Sequence, residues 1–257
     1  MQKNYFCRSK VSFSISFRLN EGLKSKNNIF VDKNTTHIRD MKIFRIIVLL
    51  CCFQQIAFAQ QTNKIALVKY KGGGDWYSVV DALENLIKFS NKELNTNFNP
   101  EYATVEIGSA EIFNYPFLFL TGHGNVVIAD DEAENIRNYL LSGGFLYIDD
   151  DYGMDPFIRP VLKKIFPDNP MVELPFEHPV YHQKFNFAKG VPKVHDHDTK
   201  SPQTFGVMDK GRLMCIYTYQ SNISDGWESR EVHKDPEEIR TKSLQMGANI
   251  LQFVFQQ

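Results

Sequence analysis

Cysteine is scarce in this chain, and its distribution excludes a disulfide framework. Only four cysteines occur among 257 residues, and Cys215 is the only one after residue 59. One cysteine cannot form an intramolecular disulfide, so a domain beyond residue 59 depends on its hydrophobic core for stability. Internal repeats and low-complexity linkers are also lacking, which favours a single domain over a repeat array or two linked domains.

The apolar run near the N-terminus is too short and too interrupted to span a bilayer. Residues 41–59 have a basic start, an apolar centre and an Ala-x-Ala end, which is the pattern of a secretory signal peptide. Gln54 and Gln55 interrupt the apolar centre, which falls short of the roughly 20 residues of a membrane-spanning helix. We therefore predict cleavage near Ala59, a periplasmic or extracellular location, and no stable transmembrane span afterwards. A permanent anchor or a lipid-modified cysteine is the less favoured alternative.

Residues 1–40 lack the sustained periodicity of a folded segment. They are rich in Ser, Asn and Lys, and they precede a signal peptide, where a native segment is not expected. We interpret them as a non-native upstream extension, with Met41 as the true start. The mature chain would then be residues 60–257, which is within the size of one domain.

Basic residues are few once the first 59 residues are set aside. Those residues hold ten of the 29 Lys and Arg but only three of the 30 Asp and Glu, so residues 60–257 carry a formal net charge of −8. Neutralisation of phosphates by Lys and Arg dominates nucleic-acid affinity, and an acidic surface repels phosphate backbones. We therefore expect no nucleic-acid partner.

From residue 64 onward, apolar strands alternate with amphipathic helices. This alternation predicts an α/β fold with right-handed crossovers and a doubly wound, mostly parallel sheet. Strands are predicted over residues 64–70, 103–107, 116–121 and 212–219, with another before the carboxylates at 149–151, and helices over 78–94, 130–141, 155–166 and 236–254.

Three consecutive carboxylates, Asp149, Asp150 and Asp151, end a short apolar strand. Ligands of open α/β sheets bind outside the carboxyl ends of the strands, so the pattern favours a site. Asp149 or Asp150 is a candidate general base. Alternatively, several of the three hold a hard cation such as Ca²⁺ or Mg²⁺. The third interpretation is structural, with one carboxylate capping the next turn and the others solvated.

Two glycine-containing loops are further candidates. Gly72-Gly-Gly-Asp75-Trp76 follows the first predicted strand but lacks the spacing of a dinucleotide fingerprint or a P-loop. Gly73 and Asp75 are candidate ligand contacts there, and Trp76 offers a stacking surface suited to a sugar. A flexible turn beside packing aromatic residues is the alternative.

The second such loop contains Gly122, His123 and Gly124, directly after a buried strand. Its glycines permit close backbone approach, and His123 can titrate near neutral pH, so it is also a candidate catalytic residue. His178 precedes a proline that restricts its backbone, and it is a candidate ligand contact. A structural role is the alternative for both histidines.

Asp225-Gly-Trp-Glu228 follows the late strand and combines hydrogen-bond acceptors with an aromatic face. Asp225, Trp227 and Glu228 are therefore candidate contacts for a sugar-like ligand, and a turn pinned by a buried Trp is the alternative. Residues 195–198, His-Asp-His-Asp, have the composition of a metal clip. No further ligand pair shows zinc-site spacing, so solvated side chains are the favoured interpretation there.

Four ordered motifs together resemble the bacterial DUF4159 family of unknown function: Leu120–Gly124, Tyr139–Gly153, Glu177–Tyr181 and Asp225–Glu228. This family is similar to class I glutamine amidotransferase-like domains, including the ThuA-like branch. The resemblance implies a flavodoxin-like sheet but no established activity. Amidotransferases carry a nucleophilic Cys after a central strand, where this chain has Asp149–Asp151, and Cys215 lies inside an apolar strand. The sequence therefore argues against glutaminase chemistry.

Two functions remain as expectations from the sequence. The first is an exported domain that binds a small polar ligand, with carbohydrate as a candidate, or an envelope protein at the carboxyl edge of its sheet. The second is a hydrolase acting on a glycan or an amide through a carboxylate or His123, with metal assistance as an option. No complete set of nucleophile, base and orienting group is visible, so binding is favoured. No cofactor is identified, and a divalent cation stays an open alternative.

Overall fold

The computed structural model describes residues 63–257 of the chain. The predicted upstream extension (residues 1–40) and the predicted signal peptide (residues 41–59) lie outside the described residues. Within residues 63–257, no helix is long and apolar enough to cross a membrane.

The fold is built on one seven-stranded sheet. Its strands are β1 (Ile65–Lys69), β2 (Ala103–Glu106), β3 (Phe117–Gly122), β4 (Phe145–Asp150), β5 (Met171–Glu173), β6 (Gln203–Asp209) and β7 (Arg212–Tyr219). Their order across the sheet is β2-β1-β3-β4-β7-β6-β5. The first five strands in this order are parallel, whereas β6 and β5 pair antiparallel at one edge. The predicted α/β fold with a mostly parallel sheet is confirmed.

Within residues 63–257, five α-helices accompany the sheet: α1 (Ala82–Leu94), α2 (Asp130–Leu141), α3 (Asp155–Ile165), α4 (Arg230–His233) and α5 (Glu237–Gln256). α1 begins four residues later than predicted. The segment before it is tied to a distant loop, because the Val80 amide donates to Glu228 and the Asp81 carboxylate accepts from the Ser229 amide. These bonds hold residues 78–81 outside the helix.

The core lies on both faces of the sheet, because successive side chains of each strand point to opposite faces. On one face, Leu118 and Leu120 of β3 pack with buried residues of α2 and α3. On the other face, Phe117 and Phe119 pack with buried residues of α1 and α5. Burial on both faces explains why β3 reads as a continuous apolar run.

The antiparallel strands β5 and β6 were not predicted from the sequence. β5 has only three residues, all of them half-buried or exposed, so it carries little apolar signal. β6 contains Gly206, whose missing side chain leaves room for Leu174 and Leu213. Cys215 of β7 is buried in the core, and burial raises the pKa of its thiol, so it is no reactive nucleophile.

Candidate functional site

The carboxyl ends of the parallel strands bring several connecting loops to one edge of the sheet. The pairing register sets Asp149 of β4 beside Thr121 of β3 and Thr218 of β7, so the acidic strand end is flanked on both sides. The loops that leave this edge cover residues 70–81 after β1, 123–129 after β3, 151–154 after β4 and 220–229 after β7.

Asp149 is buried beneath this edge and surrounded by hydroxyl groups. Its Oδ1 accepts a hydrogen bond from Thr218 Oγ1 at 2.5 Å, and its Oδ2 accepts from the amide and the hydroxyl of Ser224, both at 2.7 Å. Burial raises the pKa of Asp149 to about 7, because desolvation outweighs these hydrogen bonds. Asp149 therefore joins β4 to the loop after β7 rather than facing a ligand.

Asp150 accepts hydrogen bonds on both of its carboxylate oxygens. Its Oδ1 accepts from the amide of Met154 at 2.8 Å, and its Oδ2 accepts from the Tyr217 hydroxyl at 3.2 Å. Burial raises its pKa. Because Met154 directly precedes α3, Asp150 fixes the start of that helix. Both of its oxygen atoms accept hydrogen bonds within the fold, which favours the structural interpretation of Asp150 over a general base or a cation ligand.

Asp151 points toward other titratable groups of the site. Its Oδ2 lies 3.5 Å from His123 Nδ1, and its Oδ1 accepts from Asn222 Nδ2 at 3.3 Å. Burial raises the pKa of Asp151, and a hydrogen bond to Asp225 raises it further. The pKa of Asp225 is lowered, because hydrogen bonds from His195 and Asp151 offset the effect of burial. The raised pKa of Asp151 and the lowered pKa of Asp225 make Asp151 the carboxyl of this pair that holds a proton more readily.

Asp75 and His123 form a pair next to Asp151. The Asp75 carboxylate accepts from the backbone amide of His123 at 2.5 Å, and it lies 3.1 Å from Nδ1 of the same residue. Their side chains are 35% and 50% exposed, so both are open to solvent. The structure thus brings together three candidates that the sequence places in three separate loops.

The glycines beside this pair serve loop packing. A Cβ on Gly122 would lie 2.5 Å from the Tyr70 hydroxyl and 3.1 Å from the Trp76 amide, and its φ is +135°. A Cβ on Gly74 would lie 2.7 Å from the Asn125 carbonyl. The loops after β1 and β3 are therefore in close contact with each other, and this contact explains the glycines without a phosphate ligand. Gly73 and Gly124 have positive φ but open surroundings, as in exposed turns.

A second cluster surrounds Asp225. His195 Nδ1 lies 2.8 Å from Asp225 Oδ2, while His195 Nε2 lies 3.1 Å from Asp235 Oδ1. The hydrogen bond to Asp225, together with Asp235, raises the pKa of His195 to about 9. His195 is therefore held between two carboxylates that are distant from it in sequence.

His233 and Glu228 complete this cluster. His233 Nε2 lies 2.6 Å from Glu228 Oε2 and 3.8 Å from Asp225 Oδ1. The other oxygen of Glu228 accepts from the Val80 amide at 2.6 Å, which fixes the carboxylate. Burial raises the pKa of Glu228. The predicted pair Asp225 and Glu228 thus lies in one cluster with two histidines.

The sequence did not indicate His233 or Asp235 as site residues, and it suggested the wrong partners for His195. It grouped His195 with the next histidine in sequence, but the ring of His197 lies 4.3 Å from that of Tyr152, and its Nε2 lies 3.4 Å from Asn222. The local clip is therefore not formed by the two histidines, because they face different neighbours. Only the composition of residues 195–198 signalled that this loop belongs to the site.

Two sequence candidates lie outside the cluster. Trp227 is 1% exposed, its ring packs against Phe119 and Tyr147, and its Nε1 donates to the Ser243 carbonyl. It is a core residue and offers no face to a ligand, which corrects the stacking role. His178 accepts from the Val180 amide and stacks edge-on against Phe253, so it begins a short helical turn away from the other candidates.

Trp76 remains at the rim of the site. It is half-buried, its ring meets Tyr77 edge-on at 5.4 Å, and the Lys69 ammonium lies 5.9 Å from the ring centroid. Tyr77 is 67% exposed. An aromatic rim thus adjoins the Asp75 and His123 pair.

Fold and site together define an α/β domain with an acid- and histidine-rich cluster at the carboxyl ends of its parallel strands. A family model described as Domain of unknown function (DUF4159) matches residues 64–255, and the chain belongs to this family. A comparison with curated proteins gave no match. The matched range contains every residue of the site.

Proposed function

We propose that this domain binds a small polar ligand, with carbohydrate as the favoured class, at the carboxyl edge of its sheet. The observation that carries the proposal is the convergence of Asp75, His123 and Asp151 from three loops. Carboxylates and imidazoles at one edge supply acceptors and donors for hydroxyl groups, and ligands of open α/β sheets bind at this edge.

The exposure of the paired side chains supports binding over a purely structural role. Removing a charged group from water is costly unless it is paired, and pairing here leaves the Asp75 and His123 side chains 35% and 50% exposed. A ligand can therefore reach them without any rearrangement of the core. We favour a small ligand over an envelope protein, because the charged groups are clustered and partly buried rather than spread over a flat exposed face.

Exposed aromatic side chains supply the apolar part of such a site. Tyr77 is 67% exposed next to Trp76, and Tyr152 is 43% exposed directly after the acidic triplet. Aromatic rings offer flat surfaces to the apolar face of a sugar, while nearby acceptors fix its hydroxyl groups.

The backbone of the same loops is in an unusual conformation. Tyr152, Gln220 and Asn222 all have positive φ, at +80°, +58° and +49°. Such conformations cost free energy in residues other than glycine, and they concentrate at binding and catalytic sites. Both loops that flank the Asp151 carboxylate therefore support a site at this edge.

The fold relationship implied by the sequence is also part of the proposal. The order β2-β1-β3-β4-β7 corresponds to the 2-1-3-4-5 order of flavodoxin-like folds. It supports a relationship to class I glutamine amidotransferase-like domains. Because Asp149–Asp151 occupy the end of β4 and Cys215 is buried, the relationship is to the fold and not to cysteine chemistry.

Ligand-dependent thermal melting of the purified protein tests the proposal. The candidates are neutral mono- and oligosaccharides and cell-wall fragments, since residues 41–59 have the pattern of an export signal. A ligand at one hundred times its Kd stabilises the fold by about 2.7 kcal/mol, which raises the Tm by roughly 5–10 °C for a domain of this size. We expect Asp75→Asn to abolish the shift. Asp168→Asn, an exposed carboxylate beyond α3, should retain it, and equal shifts in both variants would contradict the assignment.

A hydrolase is the second candidate, and the Asp75 and His123 pair favours it. A carboxylate that accepts from a histidine ring nitrogen can orient that histidine as a general base. Release of reducing ends or free amines from the same compounds would show turnover. Loss of turnover in His123→Gln but not in His182→Gln, an exposed histidine elsewhere, would establish the hydrolase. Ligand binding without turnover would support the binding function and not the hydrolase.

A further inference from the structure

Three residues from separate segments meet in the cluster around Asp225. His195 comes from the connection between β5 and β6, Asp225 from the turn after β7, and His233 from the end of α4. One potential ligand atom from each lies within 4.8 Å of the others. We propose that His195, Asp225 and His233 form a binding site for a divalent transition metal ion, with zinc as the best-matched ion.

The donor set selects the class of metal. Two imidazole nitrogens and one carboxylate oxygen are typical ligands of zinc and of other first-row transition metals, whereas Ca²⁺ and Mg²⁺ require oxygen donors. The acidic triplet does not provide a competing oxygen cage, because Asp149 and Asp150 already accept hydrogen bonds with both carboxylate oxygens. The metal therefore belongs to the histidine cluster and not to the triplet.

The distances in the cluster are close to those of a coordinated ion. His195 Nδ1 lies 2.8 Å from Asp225 Oδ2, and His233 Nε2 lies 3.8 Å from Asp225 Oδ1. Ligand atoms bound tetrahedrally to zinc at about 2.0–2.1 Å are about 3.3 Å apart. The first separation is shorter than this value and the second is longer, and they involve different oxygen atoms of Asp225, so the side chains must shift to admit the ion.

One neighbouring carboxylate orients His195, and another lies beside the ligand nitrogen of His233. Nε2 of His195 faces Asp235 at 3.1 Å and can keep its proton there, while the ion replaces the proton by which Nδ1 contacts Asp225. A carboxylate that accepts from the second nitrogen is the usual partner of a metal-bound histidine. Glu228 Oε2 lies 2.6 Å from Nε2 of His233, where it can complete a four-coordinate site.

Access to the cluster is one-sided. The Asp225 side chain is 8% exposed, whereas the side chains of His195 and His233 are 23% and 32% exposed. Because the carboxylate is buried and the two imidazoles are partly exposed, an ion bound here contacts the protein on one side and solvent on the other. This metal site uses residues other than Asp75, His123 and Asp151 of the proposed sugar site, and Asp225 is the ligand residue that adjoins Asp151.

The test is zinc binding by the full-length protein after treatment with a chelator. Isothermal titration with Zn²⁺ alone and elemental analysis after dialysis are expected to give one tightly bound equivalent. His195→Ala and His233→Ala should each weaken zinc binding at least tenfold. Asp235→Asn, a positioning variant, should weaken it roughly 10–100-fold, as is typical when the carboxylate behind a metal-bound histidine is replaced.

His197→Ala is the matched control, because it removes an imidazole from the same loop without removing a ligand. It should bind zinc like the unaltered protein. Loss of binding in His197→Ala with retention in His233→Ala would overturn the proposal in favour of a local clip at residues 195–198. Unchanged binding in both His195→Ala and His233→Ala would also overturn it, since the zinc would then sit elsewhere on the chain.

Cobalt substitution keeps the test valid if a variant does not fold. Co²⁺ bound to the unaltered protein should give the intense visible absorption of a four-coordinate site with nitrogen and oxygen ligands. Absence of any stoichiometric Zn²⁺ or Co²⁺ binding would overturn the metal site. Sugar-dependent stabilisation that survives such a result would leave the proposed function intact, so the two failures are distinguishable.

Discussion

Asp149, Asp150 and Asp151 are adjacent in sequence but contact three different parts of the molecule. Asp149 accepts from the Ser224 loop, Asp150 caps the start of α3, and Asp151 faces His123. The sequence predicted that this strand end belongs to a site. It could not divide the roles, because all the donors to Asp149 and Asp150 except the nearby Met154 amide lie about 70 residues further along the chain.

Gly122 is a position at which the site leaves no room for a side chain. A Cβ there would lie 2.5 Å from the Tyr70 hydroxyl, and its φ of +135° is unfavourable for other residues. We expect Gly122→Ala to lower the free energy of unfolding by at least 2–3 kcal/mol, from backbone strain of about 1–2 kcal/mol and added overpacking. Urea denaturation measures this difference.

Gly124→Ala is the matched control for this prediction. Gly124 also has a positive φ, at +70°, but a Cβ there would meet nothing within 4 Å. Its replacement should therefore cost only the backbone strain, about 1–2 kcal/mol. Equal losses for Gly122→Ala and Gly124→Ala would show that the loops after β1 and β3 are not held in close contact.

The main elements were predictable because their apolar patterns have clear periods. Successive side chains of β3 belong alternately to the two core clusters, and α1 and α2 each pack one apolar face against the sheet. The start of α1 was not predictable, because Glu228 and Ser229 hold the preceding segment from across the fold. Periodicity reports which face is buried and says nothing about such long-range polar contacts.

The contact between α1 and α5 depends on one glycine. A Cβ on Gly247 of α5 would lie 2.6 Å from Leu86 Cδ1 of α1 and 2.8 Å from Trp227 Cζ2. We expect Gly247→Val to destabilise the protein by about 1–3 kcal/mol through overpacking, although valine favours a helix more than glycine does. Thermal melting should show a lower Tm.

A valine elsewhere on α5 separates packing from helix propensity. Gln245 is half-buried on the same helix, so Gln245→Val carries the cost of a β-branched residue without the contact to Leu86. It should change stability by a few tenths of a kcal/mol. A Tm loss in Gln245→Val as large as that in Gly247→Val would remove the case for a close helix contact.

At the scale of the whole molecule, the site assembles residues that span positions 75 to 235. The sequence predicted the edge of the sheet at which they meet, because parallel strands end at the same edge. It did not predict His195, Asp235 and His233 as one cluster, since their loops have no periodic pattern. Trp227 shows the converse case, a conspicuous loop residue that belongs to the core.

The buried Asp149 carboxyl makes the stability of the whole domain depend on pH. Burial raises its pKa from an unfolded value near 3.8 to about 7, against the hydrogen bonds from Thr218 and Ser224, and the charge of Asp225 contributes to the rise. Tyr147 and Asp151 are the other titratable groups affected by its charge. Between these two pH values the folded state binds this proton more tightly than the unfolded state does.

The contribution of Asp149 to stability is therefore fully present below pH 4 and is lost as the pH rises to about 7. A shift of this size corresponds to roughly 4 kcal/mol. We expect Asp149→Asn, which is uncharged at every pH, to gain stability relative to the unaltered protein as the pH rises from 5 to 8. Urea denaturation across that range gives the difference between the two curves. Asp168→Asn should run parallel to the unaltered protein, and a parallel Asp149→Asn curve would mean that Asp149 is already ionised in the folded state at pH 5.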